Sequence, residues 1–374
     1  MSVRTRQDYE DVLNALGACI SMRIPVLLWG DPGSGKTSVV ESARDLGWHV
    51  ETLIISHYEP SDLAGLPLLR DGRVMLAPPA WAQRLCEVSA PSIAFFDEFS
   101  TASPALQAAA LRPLTHYQVG DLQLPDTVSF VAAANPADVA AAGWELAPPT
   151  ASRFVHLDWG LPLEVYSECL VSQAWPRLPV GRIPDSFTGL LSTQRALVSG
   201  FLRRRGGQLS AIPTDVSDRG RAFPTPRTWD YAARLVAYAQ AIGASQQVIA
   251  LLVGGCIGAP AAHEFLRYTS ELDLPDPEEV LTGGYSFAGT RPDQAFVILQ
   301  AVLSAVQRKR SPQRWEQAVE LCARAAEELN SPDAAIPVVR ALLRGDVRPA
   351  DTSLPSSIRV FAGALIQAGL LLGA

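Results

Sequence analysis

Leu28-Trp29-Gly30-Asp31-Pro32-Gly33-Ser34-Gly35-Lys36-Thr37 is the most informative segment of the chain. A short apolar run, Ile24-Pro25-Val26-Leu27-Leu28, precedes it and reads as a buried parallel strand. Ser38-Val39-Val40-Glu41-Ser42-Ala43-Arg44-Asp45-Leu46 follows and reads as a helix ended by Gly47. Strand, glycine-rich loop and helix form the context in which G-x-x-x-x-G-K-T, here Gly30 to Thr37, acts as a phosphate loop. Glycines let backbone N–H groups converge on anionic oxygens, and the helix N-terminus adds partial positive charge. Lys36 is expected to reach the terminal phosphates of a nucleotide, and the Thr37 hydroxyl to join a Mg²⁺ shell. The candidate nucleotide contacts are Gly30, Asp31, Pro32, Gly33, Ser34, Gly35, Lys36, Thr37 and Ser38.

Working outward, Asp8 to Ile20 has apolar residues at helical spacing. Trp48 to Ile55 reads as a second strand, and Glu59 to Ala64 as a helix opening, with Ser61 or Asp62 as its cap. Leu66 to Leu76 reads as a hairpin turning at Asp71-Gly72, and a helix resumes at Pro79 to Leu85. Ser92 to Phe99 is a third strand, followed by a helix from Ala105 to Leu114 and a hairpin turning at Gly120-Asp121. Thr127 to Ala134 and Phe154 to Trp159 are the fourth and fifth strands. Strands alternating with helices behind a phosphate loop imply an α/β fold with a parallel, doubly wound, five-stranded sheet. Beyond Trp159 the strand signal fades into helices, the last at Ser357 to Leu372. The division expected is an α/β core over 1–160, an all-helical lid over 161–284 and a C-terminal helical extension over 285–374.

The chain has 374 residues, 48% of them hydrophobic and 18% charged, enough for two or three domains with substantial cores. Its net charge of −7 disfavours a nucleic-acid coat. The clusters Arg203-Arg204-Arg205 and Arg308-Lys309-Arg310 read as solvated helix ends. Five dispersed cysteines form no C-x-x-C pair, and five histidines show no zinc spacing. The first residues lack an apolar signal core, and the apolar runs at 248–262 and 361–374 are short for a membrane span. A cytoplasmic location without a membrane partner is expected.

Hydrolysis of a nucleotide needs a carboxylate for Mg²⁺, a polar group on the water and positive charge at the terminal phosphate. Asp97 and Glu98 end the third strand, where Asp97 can hold Mg²⁺ with Thr37 and Glu98 can polarise water. Asn135 ends the fourth strand, where its amide can bond the water and phosphate without repelling the anion. Arg153 is either a charge offered to a neighbouring subunit or half of a surface ion pair. Arg227 either reaches the phosphate from the lid or simply occupies the first turn of a helix.

The set GDPGSGKT, FFDEFS, AAANP, ASRF and PTPRTW, in this order, resembles the AAA+ ATPases, and more narrowly their MoxR-like and dynein-related branch. The run Asp62 to Pro67 and Gln118-Val119-Gly120-Asp121 look like that branch too, as a helix-2 insert and the hairpin before sensor 1. The resemblance implies a P-loop AAA+ core in which Lys36 and Thr37 match Walker A, and Asp97 and Glu98 match Walker B. Asn135 then matches sensor 1, Arg153 the arginine finger and Arg227 the sensor 2 arginine. It implies ATP and Mg²⁺ as cofactors, a homo-oligomeric ring, usually hexameric, and chaperone-like remodeling of a partner. That partner commonly bears a von Willebrand factor A domain. The competing expectations are a nucleotide-gated assembly scaffold with slow hydrolysis and a nucleic-acid-dependent motor subunit.

Overall fold

The computed structural model describes residues 3–136, 143–215, 217–345, 347–350 and 352–367. Helix α1 (Arg6–Ser21) leads into β1 (Val26–Trp29), α2 (Lys36–Glu41), β2 (His49–Ile54) and α3 (Pro60–Ala64). A hairpin of β3 (Leu66–Arg70) and β4 (Arg73–Ala77) precedes α4 (Ala80–Glu87), β5 (Ser92–Asp97) and α5 (Pro104–His116). The short pair β6 (Gln118–Val119) and β7 (Leu122–Gln123) comes before β8 (Val128–Ala134), α6 (Pro148–Ala151), β9 (Val155–Asp158) and α7 (Leu163–Ser172). Helices α8 (Phe187–Arg204), α9 (Pro226–Ala241), α10 (Gln246–Ile257), α11 (Ala259–Ser270) and α12 (Pro277–Leu281) follow. The last are α13 (Pro292–Arg308), α14 (Pro312–Glu328), α15 (Ile336–Leu342) and α16 (Ala362–Gln367).

Five strands form one parallel sheet in the order β2-β5-β8-β1-β9. Every residue of β1 and β8 is buried, as strands covered by helices on both faces must be. Phe96, Phe99, Phe130 and Phe154 pack ring against ring beneath α4 and α5, with centroids 5.5 to 6.0 Å apart. The order places the C-terminal ends of β1, β5 and β8 side by side. Register pairs Trp29 with Ala134 and Phe96 with Ala132, so Gly30, Asp97 and Asn135 emerge at one edge.

Several local expectations are corrected. The cap of α3 is Glu59, not Ser61 or Asp62; Asp62 instead accepts from the Glu59 N–H to close a capping box. The helix after the phosphate loop is α-helical only to Glu41, then tightens to a 3₁₀ turn through Leu46, with Gly47 at φ 81° as its stop. Both turn residues of the β3–β4 hairpin have positive φ (Asp71 51°, Gly72 74°), the geometry an Asp-Gly pair accommodates. The final helix begins as a 3₁₀ turn, and residues 368–372 of the span expected for it lie outside the described residues.

The chain divides into two compact units, Met1–Pro184 with Gln208–His263, and Asp185–Gly207 with Glu264–Ala374. In the first, α9 and α10 pack on each other, and α10 lies against β9 so closely that a Cβ on Gly255 would fall 2.6 Å from the His156 carbonyl. In the second, α8 packs along α13, and Phe201 meets Phe265 and Tyr268. Among the described residues, no helix is long and apolar enough to cross a membrane.

Candidate nucleotide site

The loop between β1 and α2 is shaped by two left-handed glycines, Gly33 at φ 75° and Gly35 at φ 83°, a region that residues with a Cβ avoid. A Cβ on either would meet nothing within 4 Å, so these glycines serve backbone shape and leave open space beside the loop. Lys36 is largely buried, and its ammonium crosses the loop to the Gly30 and Asp31 carbonyls at 2.7 and 2.8 Å. It also donates to Asn135 Oδ1 at 3.0 Å. Burial pulls its pKa down, while Asp97 and Asp31 oppose that shift. The Thr37 hydroxyl donates to Asp97 Oδ2 at 2.7 Å. These contacts bring together Lys36, Thr37, Asp97 and Asn135 from three different strand ends.

A Thr hydroxyl and an Asp carboxylate side by side are hard oxygen donors of the kind Mg²⁺ prefers. With the open glycine cradle beside them, the residues present fit a magnesium nucleotide.

Glu98 follows Asp97 in a left-handed backbone conformation, φ 56°. Its N–H donates to Asp97 Oδ1 at 2.9 Å, and its carboxylate accepts from the Ser56 hydroxyl at 2.9 Å. Ser56 lies just after β2, and the pairing of β2 with β5 brings it beside Glu98. On the other side, the Ser100 hydroxyl accepts from the Asn135 N–H at 3.2 Å. Neither serine stands out in the sequence, because their roles depend on which strands are neighbours.

Arg153 is engaged apart from the loop, and Arg227 lies in the first turn of α9. Arg153 donates to the Thr115 hydroxyl and to the Pro149 carbonyl. Burial, and then the nearby Arg227 cation, push its guanidinium below its ordinary pKa. Tyr231, one turn after Arg227 on α9, feels both cations, although its own burial raises its pKa. Two like charges that act on each other raise the local positive potential, which favours an anion.

Aromatic side chains of β1 and β9 brace the loop. The Trp29 indole donates to His156 Nδ1 at 2.9 Å, and His156 Nε2 donates to the Ala151 carbonyl at 2.9 Å. With both nitrogens satisfied and the ring buried, burial first of all lowers the His156 pKa from 6.5 to about 4. Arg221 lies over the opposite side of this cluster, 4.1 Å from the Trp29 ring and paired with Asp158 at 3.1 Å. The sequence singled out none of these, since a Trp and a His in apolar strands read as ordinary core.

Residues 25–154 match the AAA domain of the dynein-related subfamily. No curated protein matches the chain. Among solved structures, a candidate ATPase from Cytophaga hutchinsonii is similar at 16% identity over 71% of this chain and 90% of its own, with a TM-score of 0.43. An MCM homolog from Methanopyrus kandleri matches at 18% identity over 69% of this chain and 53% of its own, with a TM-score of 0.33. A RuvB variant from Thermotoga maritima matches at 14% identity over 76% of this chain and 80% of its own, with a TM-score of 0.31.

Proposed function

We propose that the chain, whose residues 25–154 match the AAA domain of the dynein-related subfamily, hydrolyses ATP to ADP and phosphate in a ring of its own copies. The observation that carries this is the interlocked set Lys36–Asn135 and Thr37–Asp97 around an open glycine loop. The Gly30 to Ser38 backbone and Lys36 would cradle the β- and γ-phosphates. Thr37 and Asp97 would hold Mg²⁺, which when bound neutralises charge between the phosphates. Glu98 would take a proton from the attacking water as the new P–O bond forms and the bond to the ADP oxygen breaks. Asn135 would hold that water and the γ-phosphate in line.

Arg153 and Arg227 would supply the remaining positive charge. The influence of each charge on the other within one protomer supports a reading in which both act together on the nucleotide of a neighbouring subunit. In this proposal residues 161–284 serve as the lid and 285–374 as an extension. A MoxR-like, chaperone-like role in the cytoplasm follows the same line, with a von Willebrand factor A protein as the partner remodeled or recruited. The exposed hairpin β3–β4, with Leu69 and Val74 outward, is the element offered to it.

Steady-state phosphate release by Glu98→Gln tests the reading. We expect turnover to fall by about 10²-fold or more, as for loss of a general base, with ATP binding retained. Undiminished turnover would remove Glu98 from the chemistry.

A further inference from the structure

β9 ends in Asp158, and the next residue, Trp159, touches the phosphate loop at both of its ends. Its backbone N–H donates to the Trp29 carbonyl at 2.6 Å. Its own carbonyl lies where a Cβ on Gly30 would fall, 2.6 Å away, which explains why that position has no side chain. Its indole Nε1–H donates to the Ser34 carbonyl at 3.0 Å. The ring is buried and packs against Tyr9 of α1, centroids 5.2 Å apart. None of these contacts belongs to the set Lys36, Thr37, Asp97, Glu98 and Asn135.

The bond to Ser34 has a consequence for anion binding. The peptide joining Ser34 to Gly35 is planar and trans, so its C=O and N–H point in opposite directions. Fixing the Ser34 carbonyl on the indole therefore fixes the Gly35 N–H away from it. Gly35, at φ 83°, has no side chain to hold that peptide by sterics and could otherwise turn it over. The Ser34 N–H and hydroxyl are both spent on the Asp31 carbonyl, at 3.2 and 2.7 Å, which leaves the Ser34–Gly35 peptide to be set from outside the loop.

We propose that Trp159 is a positioning residue for phosphate binding: its indole N–H holds the Ser34–Gly35 peptide in the orientation that presents the Gly35 N–H to the nucleotide. This rests on the reading of the loop as a nucleotide site. Preorganising a donor in this way strengthens binding by sparing the ligand the cost of ordering it.

Trp159→Phe keeps a ring against Tyr9 and deletes only the donor. Binding of fluorescent ADP and of inorganic pyrophosphate to the full chain is measured by titration, with the KM and kcat for ATP alongside. The expected result is a loss of about fivefold in affinity for both ligands, the size of one net hydrogen bond. KM should rise by the same factor while kcat at saturation stays within about twofold. Tyr9→Leu, which loosens the ring packing but leaves the N–H, should bind both ligands as the wild type does. Equal affinity in Trp159→Phe, a fall in kcat alone, an equal loss in Tyr9→Leu, or a Phe variant that does not fold would each overturn the assignment. Wild-type protein that binds neither ligand would instead refute the nucleotide site itself, which separates the two failures.

Discussion

At the scale of single residues, the candidate site is held in a set of hydrogen bonds that the proposed nucleotide would have to replace. Lys36 spends its ammonium on two loop carbonyls and on Asn135, groups that would lose it to phosphate oxygens in the proposed nucleotide complex. The Glu98 carboxylate is engaged by Ser56 in the same way. That bond restrains the carboxylate proposed to activate water. Ser56→Ala should therefore raise basal ATP turnover, by about fivefold if the full net value of one hydrogen bond is released. Phosphate release without any partner present checks it, and a rate at or below wild type would make Ser56 a support for Glu98. The sequence places Glu98 beside Asp97, but it cannot show Ser56, which lies forty-two positions earlier and arrives only through the pairing of β2 with β5.

At the scale of elements, α9 deserves its position to its first turn. Thr225 caps it, Pro226 takes the first helical place, and Thr228 closes a capping box while donating to the Phe223 carbonyl at 3.0 Å. Arg227 sits within that turn, so the cap sets the direction in which its guanidinium leaves the helix. Thr225→Ala is expected to destabilise the turn by about 1 kcal/mol. Amide exchange in the first turn of α9 should accelerate by about fivefold, and exchange in α1 should not change. Much of this was legible in Pro224-Thr225-Pro226-Arg227-Thr228-Trp229, because caps are local chemistry. The cap of α3 was less so. Three polar or acidic residues compete there within four positions, and which becomes the cap depends on where Trp81, donating to the Asp62 carbonyl at 2.8 Å, anchors the turn.

At the scale of the whole molecule, the repulsion between the Arg153 and Arg227 charges bears on which subunit each serves. Lys36→Ala, Arg153→Ala and Arg227→Ala should each lose turnover alone. Mixed in equal amounts, Lys36→Ala with Arg153→Ala should recover about a quarter of wild-type turnover. That is the chance that an intact loop meets an intact neighbour in a ring with heterologous contacts. Arg227→Ala with Lys36→Ala should recover as much if Arg227 also acts across the boundary, and nothing if it serves its own nucleotide. The phosphate loop, the five strands and the acidic pair after β5 are readable from the residues alone. Each of these is encoded locally, by hydrophobic period, glycine placement and cap chemistry. It took the folded chain to show that Asn135 meets Lys36, that Ser56 donates to Glu98, that Trp159 grips Ser34 and that the Arg153 and Arg227 charges act on each other. Those contacts join residues many positions apart, and the order of the strands in the sheet brings them together.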